Sequence, residues 1–186
     1  MLLEQAGIPF EVRAVDIPEI QARDERAEPF ALRLAAEKAL AGAQTLADPS
    51  ERRAVLGADT IVVLGDQVLG KPRDEVHAAE MLRQLVGKTH TVTTAVAVVA
   101  SDDLTLHRIA VHSRVTMRLA SAEEVRDYVA TGESLDKAGS YALQGEGRRF
   151  IDAVEGSETN VIGLPLHETR ELLATAGFGN LLPAFE

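Results

Sequence analysis

Two long strand-like runs, His90 to Ala100 and Leu104 to Leu119, are separated only by Ser101-Asp102-Asp103, and they set the narrowest limits on what this chain can form. Apolar and β-branched residues fill the first, while alternation of apolar and polar positions is clearest in the second. Joined by a short polar turn, the pair reads as a hairpin. Around it, helical and strand-like patterns alternate. After Pro29, residues Phe30, Leu32, Leu34, Ala36, Ala39, Leu40 and Ala41 make a wide apolar stripe, and Asp48-Pro49-Ser50 is expected to break that helix. Ala54 to Leu64 reads as a strand, Gly65-Asp66 as a turn, and Gln67 to Leu69 as a short return strand. Asp74 caps a second helix, from Glu75 to Val86, and Ser121-Ala122-Glu123-Glu124 opens a third with a capping-box pattern, ending near Thr131 before Gly132. Phe150 to Val154 follows a Gly-rich stretch, and Pro165 to Ala176 reads as a C-terminal helix. Helices alternating with strands, plus one hairpin, predict an α/β chain built on a mixed twisted sheet with flanking helical layers.

The first residues are unusual. Leu2, Leu3 and Ala6 recur at helical spacing, Gly7 can stop the turn, and Ile8-Pro9-Phe10-Glu11-Val12 reads as extended, so the chain starts inside a helix. Asp16 to Glu28 is charged and Pro-containing, which suits an exposed loop.

At 186 residues with 46% hydrophobic content, the chain is long enough for one well-buried domain. Its net charge of -10 argues against general attraction to nucleic acid or anionic membranes. The absence of Cys excludes disulfides, thiolate metal sites and a Cys nucleophile, and suits a cytoplasmic setting. No apolar span reaches membrane-crossing length, and no signal-peptide pattern is present.

The residue with most chemical promise is Asp59, a carboxylate inside an apolar strand. Burying it demands a cation or donors, so it is either a structural carboxylate held by its neighbours or a general base or metal ligand. Thr60 faces the other side of the pleat. Lys71, in Gly70-Lys71-Pro72, follows the return strand, which the hairpin geometry would carry back alongside Asp59. Such a carboxylate and ammonium can serve a phosphate and its metal. Lys38, within the Ala- and Leu-rich helix, is either a second phosphate-facing cation or a lysine reaching out from the helix edge. Asp136 to Gly147 is Gly-rich enough for close backbone approach to a ligand, and Gln144 offers donors and an acceptor for a nucleobase edge. GxxxxGK[ST], HExxH and GxSxG patterns are absent, which removes P-loop NTPases, zincins and α/β-hydrolases.

Gly57-Ala58-Asp59-Thr60-Ile61-Val62-Val63, Gly70-Lys71-Pro72, Leu85-Val86-Gly87-Lys88-Thr89-His90, the run Asp136 to Gly145, and Asn160-Val161-Ile162-Gly163-Leu164-Pro165 together resemble the Maf family, or septum formation proteins. The likeness runs in order from the first residues to about Gly177. It implies a nucleoside triphosphate pyrophosphatase that cleaves the α–β phosphoanhydride with a divalent metal, Mg2+ or Mn2+. It also implies two lobes around a cleft, as in the inosine triphosphate pyrophosphatases, and a homodimer. By the same resemblance, Asp59 is the proton acceptor and a metal ligand, Lys71 and Lys38 face phosphates, and Glu19 joins the metal. Pro18 stands where that acidic stretch has an aspartate. Tyr141-Ala142-Leu143-Gln144-Gly145 is similar to the branch acting on dTTP and UTP, with Thr60 and Gln144 at the specificity positions, whereas the 7-methyl-GTP branch has a Glu near the place of Gln144.

Residues 1–186 are thus expected to form a single Maf-like domain without the strand and Ser-x-Ser-Pro-Arg-Arg loop that ordinarily lead into the first helix. A start assigned too far downstream is the explanation that the otherwise intact motifs favour. The missing arginines leave a second expectation open, a nucleotide-binding protein with little or no turnover that acts in cell division through partners. A purine-preferring pyrophosphatase of similar architecture is a third.

Overall fold

Among the described residues, five strands form the sheet in the order β2-β1-β3-β4-β5. These are β1 (Ala54–Leu64), β2 (Gln67–Leu69), β3 (Thr89–Ala100), β4 (Leu106–Met117) and β5 (Ile151–Glu155). The helices are α1 (Leu2–Gln5), α2 (Ala27–Gln44), α3 (Glu75–Leu85), α4 (Ala122–Val129), α5 (Glu158–Ile162) and α6 (Leu166–Leu173). The computed structural model describes residues 1–46, 48 and 51–183; of the expected helix break at Asp48-Pro49-Ser50, Pro49 and Ser50 lie outside the described residues. This is the mixed α/β arrangement of sheet and flanking helices that the alternating patterns predict.

The difference between the two long strands follows from their surroundings. β3 is buried at every position from Val92 to Ala100, so its apolar run needs no alternation. In β4, buried Ser113, Val115 and Met117 alternate with more exposed residues, the pattern of a strand with one covered face. The two meet in a tight connection in which Ala100 N–H donates to Thr105 O at 3.0 Å and Leu104 N–H to Ala100 O at 2.9 Å. The short hairpin is also present, with Val62 opposite Leu69, Val63 opposite Val68 and Leu64 opposite Gln67 in an antiparallel pairing. At the far edge β5 runs antiparallel to β4, and the register shifts between Thr116 and Met117.

The chain divides into two compact units, one of Met1–Asp59, Thr94–Val111 and Gly163–Glu186, the other of Thr60–Thr93 and His112–Ile162. In the first, α2 buries Phe30, Ala31, Leu34, Ala35 and Ala39, and Ile8, Val98, Leu173 and Phe178 form a second apolar cluster. In the second, Leu82 and Leu85 of α3, Val92 of β3, Tyr128 of α4 and Phe150 share one core. The capping box of α4 is present, with Glu124 N–H donating to Ser121 Oγ at 3.1 Å and Ser121 N–H donating to Glu124 Oε2 at 2.8 Å.

One local expectation differs, and one short helix carries no sequence signal. Ile8-Pro9-Phe10-Glu11-Val12 is not a strand of the sheet; Phe10 and Val12 are exposed, and Pro9 has no N–H to give to a ladder. α5 was not marked by periodicity, because five residues are too few to show a stripe. Its anchor is Asn160, fully buried, whose Nδ2 donates to Val92 O at 3.1 Å and Ser113 Oγ at 2.9 Å.

Candidate active site

Asp59 meets its cation. Lys38 Nζ lies 2.6 Å from Asp59 Oδ1 and 2.7 Å from Glu19 Oε1, so a lysine of α2 bridges a carboxylate of β1 and one of the loop before α2. Asp59 is 8% exposed and Lys38 22%, which makes the contact largely shielded from water. Burial pulls the lysine's pKa down, but its bonds to Asp59 and Glu19 outweigh that and hold it above its ordinary value. The ammonium is therefore a fixed positive charge beside two oxygen-donor groups.

Local sequence explains how the cluster assembles. A Cβ at Gly57 would fall 2.4 Å from Ala35 O and 2.6 Å from Ala39 N, so only glycine lets α2 lie this closely on β1. Lys38, one residue before Ala39, is thereby brought within reach of Asp59, two residues after Gly57. Ile20, next to Glu19, is held by Arg33, which the sequence did not single out. Arg33 donates to Ile20 O at 3.0 Å, to Glu25 at 2.8 Å and to Glu37 at 3.1 Å, strapping the irregular loop onto α2. The guanidinium beside Glu25 pulls that carboxyl down to about 2. A signal was available in the sequence, since Arg33 and Glu37 stand one helical turn apart. In the same unit, a groove of about 660 Å³ is lined by the extended stretch from Ile8 to Arg13, by Ala54 to Ala58 and by Lys38. Its arginines are already engaged: Arg13 bonds Glu11 at 3.0 Å, Arg52 bonds Asp102 at 2.9 Å and Arg53 bonds Glu51.

Thr60, Lys71 and Gln144 belong to the second unit. The ladder between β1 and β2 stops at Leu69, two residues before Lys71. The Gly70-Lys71-Pro72 turn is instead tied to the Gly-rich stretch, with Gly139 N–H donating to Gly70 O at 3.1 Å. A Cβ at Gly139 would meet Val62 Cγ2 at 2.8 Å, and its φ of 67° lies in the left-handed region, so glycine is needed on both counts. Ser140 follows with φ 63°, a buried left-handed residue, and the chain turns there into Tyr141. Tyr141 is buried with its hydroxyl 2.7 Å from His90 Nε2, the rings edge to face at 5.5 Å. Gln144 is exposed, and its amide makes no hydrogen bond among the described residues.

Asp59 and Glu19 are hard oxygen donors of the kind that hold Mg2+ or Mn2+ through one or two carboxylates, with substrate phosphate completing the shell. Among the described residues no group of three or more His, Asp or Glu could hold a metal unaided. No helix among the described residues is long and apolar enough to cross a membrane.

The chain belongs to the Maf family: residues 1–176 match the family of Maf-like proteins. Among its relatives, a dTTP/UTP pyrophosphatase of Pectobacterium atrosepticum is 50% identical over 173 residues, covering 93% of this chain and 85% of that protein. The dTTP/UTP pyrophosphatase of Salmonella typhimurium is likewise 50% identical over 173 residues, with the same 93% and 85% coverage. That of Escherichia coli O157:H7 is 49% identical over 174 residues, again 93% of this chain and 85% of the relative.

Proposed function

We propose that this chain hydrolyses dTTP and UTP to the nucleoside monophosphate and pyrophosphate. The observation that carries the reading is the cluster of Lys38, Asp59 and Glu19, whose geometry suits phosphoanhydride hydrolysis. Half-identical relatives named as dTTP/UTP pyrophosphatases support the substrate. In this reading water attacks the α-phosphorus, the bond to the bridging oxygen breaks, and pyrophosphate leaves. Asp59 takes the proton from the attacking water, and Lys38 holds the carboxylate in one orientation. Lys38 and Lys71 offset charge that builds on the phosphate oxygens. Asp59 and Glu19 would hold a divalent cation, Mg2+ or Mn2+, which when bound supplies charge neutralisation on those oxygens.

Base selection falls to Thr60 and Gln144. A pyrimidine edge with a carbonyl beside an N–H is matched by an amide, which offers an acceptor and two donors. The cytosine edge reverses part of that pattern.

Pyrophosphate release across dTTP, UTP, CTP, 7-methyl-GTP and ITP, with Mg2+ or Mn2+ and with chelator, tests the reading. Release from dTTP and UTP that chelator abolishes is the expected result. A preference for ITP would replace the pyrimidine assignment with a purine one, and no release from any substrate would overturn the proposed activity.

A further inference from the structure

The exposed amide of Gln144 sits in a loop whose two ends are fastened to one carboxylate and one hydroxyl. Tyr128, on α4, is fully buried with its ring edge-on to Phe150 at 5.3 Å. Its hydroxyl donates to Glu133 Oε1 at 2.9 Å and accepts from Ala142 N–H at 3.2 Å. Glu133 in turn accepts from Glu146 N–H at 2.9 Å and Gly147 N–H at 3.0 Å. Gln144 is thus two residues from an anchor on each side.

The glycines of this loop record how closely it wraps the pair. A Cβ on Gly145, whose φ is 128°, would stand 2.4 Å from Glu133 Oε2, and one on Gly147 would stand 2.8 Å from Tyr128 Oη and 2.5 Å from Ala142 O. The backbone can reach the carboxylate only because those positions lack side chains. Three donors converge on Glu133, from α4 and from the far side of the loop; burial works against its charge, but the bonds from the loop amides and Tyr128 outweigh that and hold its pKa below the ordinary value. Glu133 is steadied by Thr131, whose Oγ1 accepts from Glu133 N–H at 3.3 Å and donates to Tyr128 O at 2.7 Å.

We infer that Tyr128 and Glu133 are positioning residues for base selection: they fix the backbone on both sides of Gln144 so that its amide meets the pyrimidine edge in one orientation. The inference rests on the reading that Gln144 contacts the base. Neither residue touches substrate; both act through the loop. A pre-set amide discriminates carbonyl from amino at C4 because the wrong base leaves its groups unpaired, whereas a loose loop can turn the amide to suit either.

UTP and CTP differ only at that edge, so the ratio of their kcat/KM values is the readout. The ratio of their Kd values in an Asp59→Asn background reports the same preference without turnover. Loss of folded enzyme lowers both substrates alike and leaves the ratio unchanged, which separates positioning from simple structural damage. Glu133→Gln keeps the size but puts an amide NH2 in place of one carboxylate oxygen, facing a backbone donor that the oxygen had accepted from, and Tyr128→Phe keeps the ring while removing the hydroxyl. Each is expected to lower the UTP-to-CTP ratio by about tenfold, largely through KM for UTP, as Gln144→Ala does directly. If Gln144→Ala shifts the ratio while Glu133→Gln and Tyr128→Phe leave it at the wild-type value, the positioning role is overturned and the base contact stands. If Gln144→Ala itself leaves the ratio unchanged, the base contact fails and the positioning role with it. Should Glu133→Gln fail to fold, Tyr128→Phe decides between the same outcomes.

Discussion

Lys38 Nζ lies 2.6 Å from Asp59 and 2.7 Å from Glu19, and Asp59 is nearly buried, so replacing the lysine affects stability as well as chemistry. Lys38→Met removes the cation from beside a shielded carboxylate and should lower stability by on the order of 1–3 kcal/mol, read from urea unfolding at pH 7. Asp59→Asn keeps an acceptor for Lys38 and removes the base. It should unfold near the wild-type midpoint while pyrophosphate release disappears; an Asn variant with wild-type turnover would take Asp59 out of the mechanism. Both residues were legible in the sequence for one reason: a charge inside an apolar pattern has to be met by something. What met it was not legible, since 21 positions separate the partners. Glu133 was invisible by the same logic, because an acid following Gly132 at a helix end looks like ordinary surface, and its role depends on where Gly145 and Gly147 pass.

The contact between α2 and β1 depends on one missing side chain. Gly57→Ala places a methyl against Ala35 O and Ala39 N, which must push the helix off the strand and carry Lys38 away from Asp59. A cost of about 1–3 kcal/mol in unfolding free energy, together with loss of turnover out of proportion to that destabilisation, is the expected outcome. On α4, Ser121→Ala removes the acceptor for Glu124 N–H and should cost about 1 kcal/mol by thermal or urea unfolding, with the UTP-to-CTP ratio unaltered. Elements whose pattern is carried by their own residues were readable in advance: the capping box, the stripes of α2 and α3, and the contrast between the fully covered β3 and the half-covered β4. α5 was not readable, because Asn160 earns its place through β3 and β4 rather than through a repeat. The stretch Ile8 to Val12 has strand-like residues but no place in the ladder, since pairing belongs to two strands and propensity to one.

For the molecule as a whole, acid should act in two phases. Burial drives His90 down to about 4 from an ordinary 6.5, so the folded protein keeps it neutral where the unfolded chain takes up a proton. Its contribution is fully present above pH 6.5 and is lost as pH falls toward 4, by roughly 3 kcal/mol across that window. Glu25 and Glu124, held down to about 2 by Arg33 and Arg118, contribute above their ordinary 4.5 and lose that contribution as pH falls toward 2. Unfolding midpoints measured from pH 7 to 3 should therefore fall in both ranges, and His90→Gln should flatten the upper one while leaving the lower. The sequence by itself determined the alternation of helices and strands, the two hairpins and the family, because these follow from short-range periodicity, turn residues and motifs read in order. Tertiary structure alone decided that Lys38 joins Asp59 to Glu19, that Arg33 straps the loop, and that Tyr128 and Glu133 hold both ends of the Gln144 loop. Those pairings link residues distant along the chain through shielded charge and close backbone approach, quantities that exist only once the packing brings the partners together.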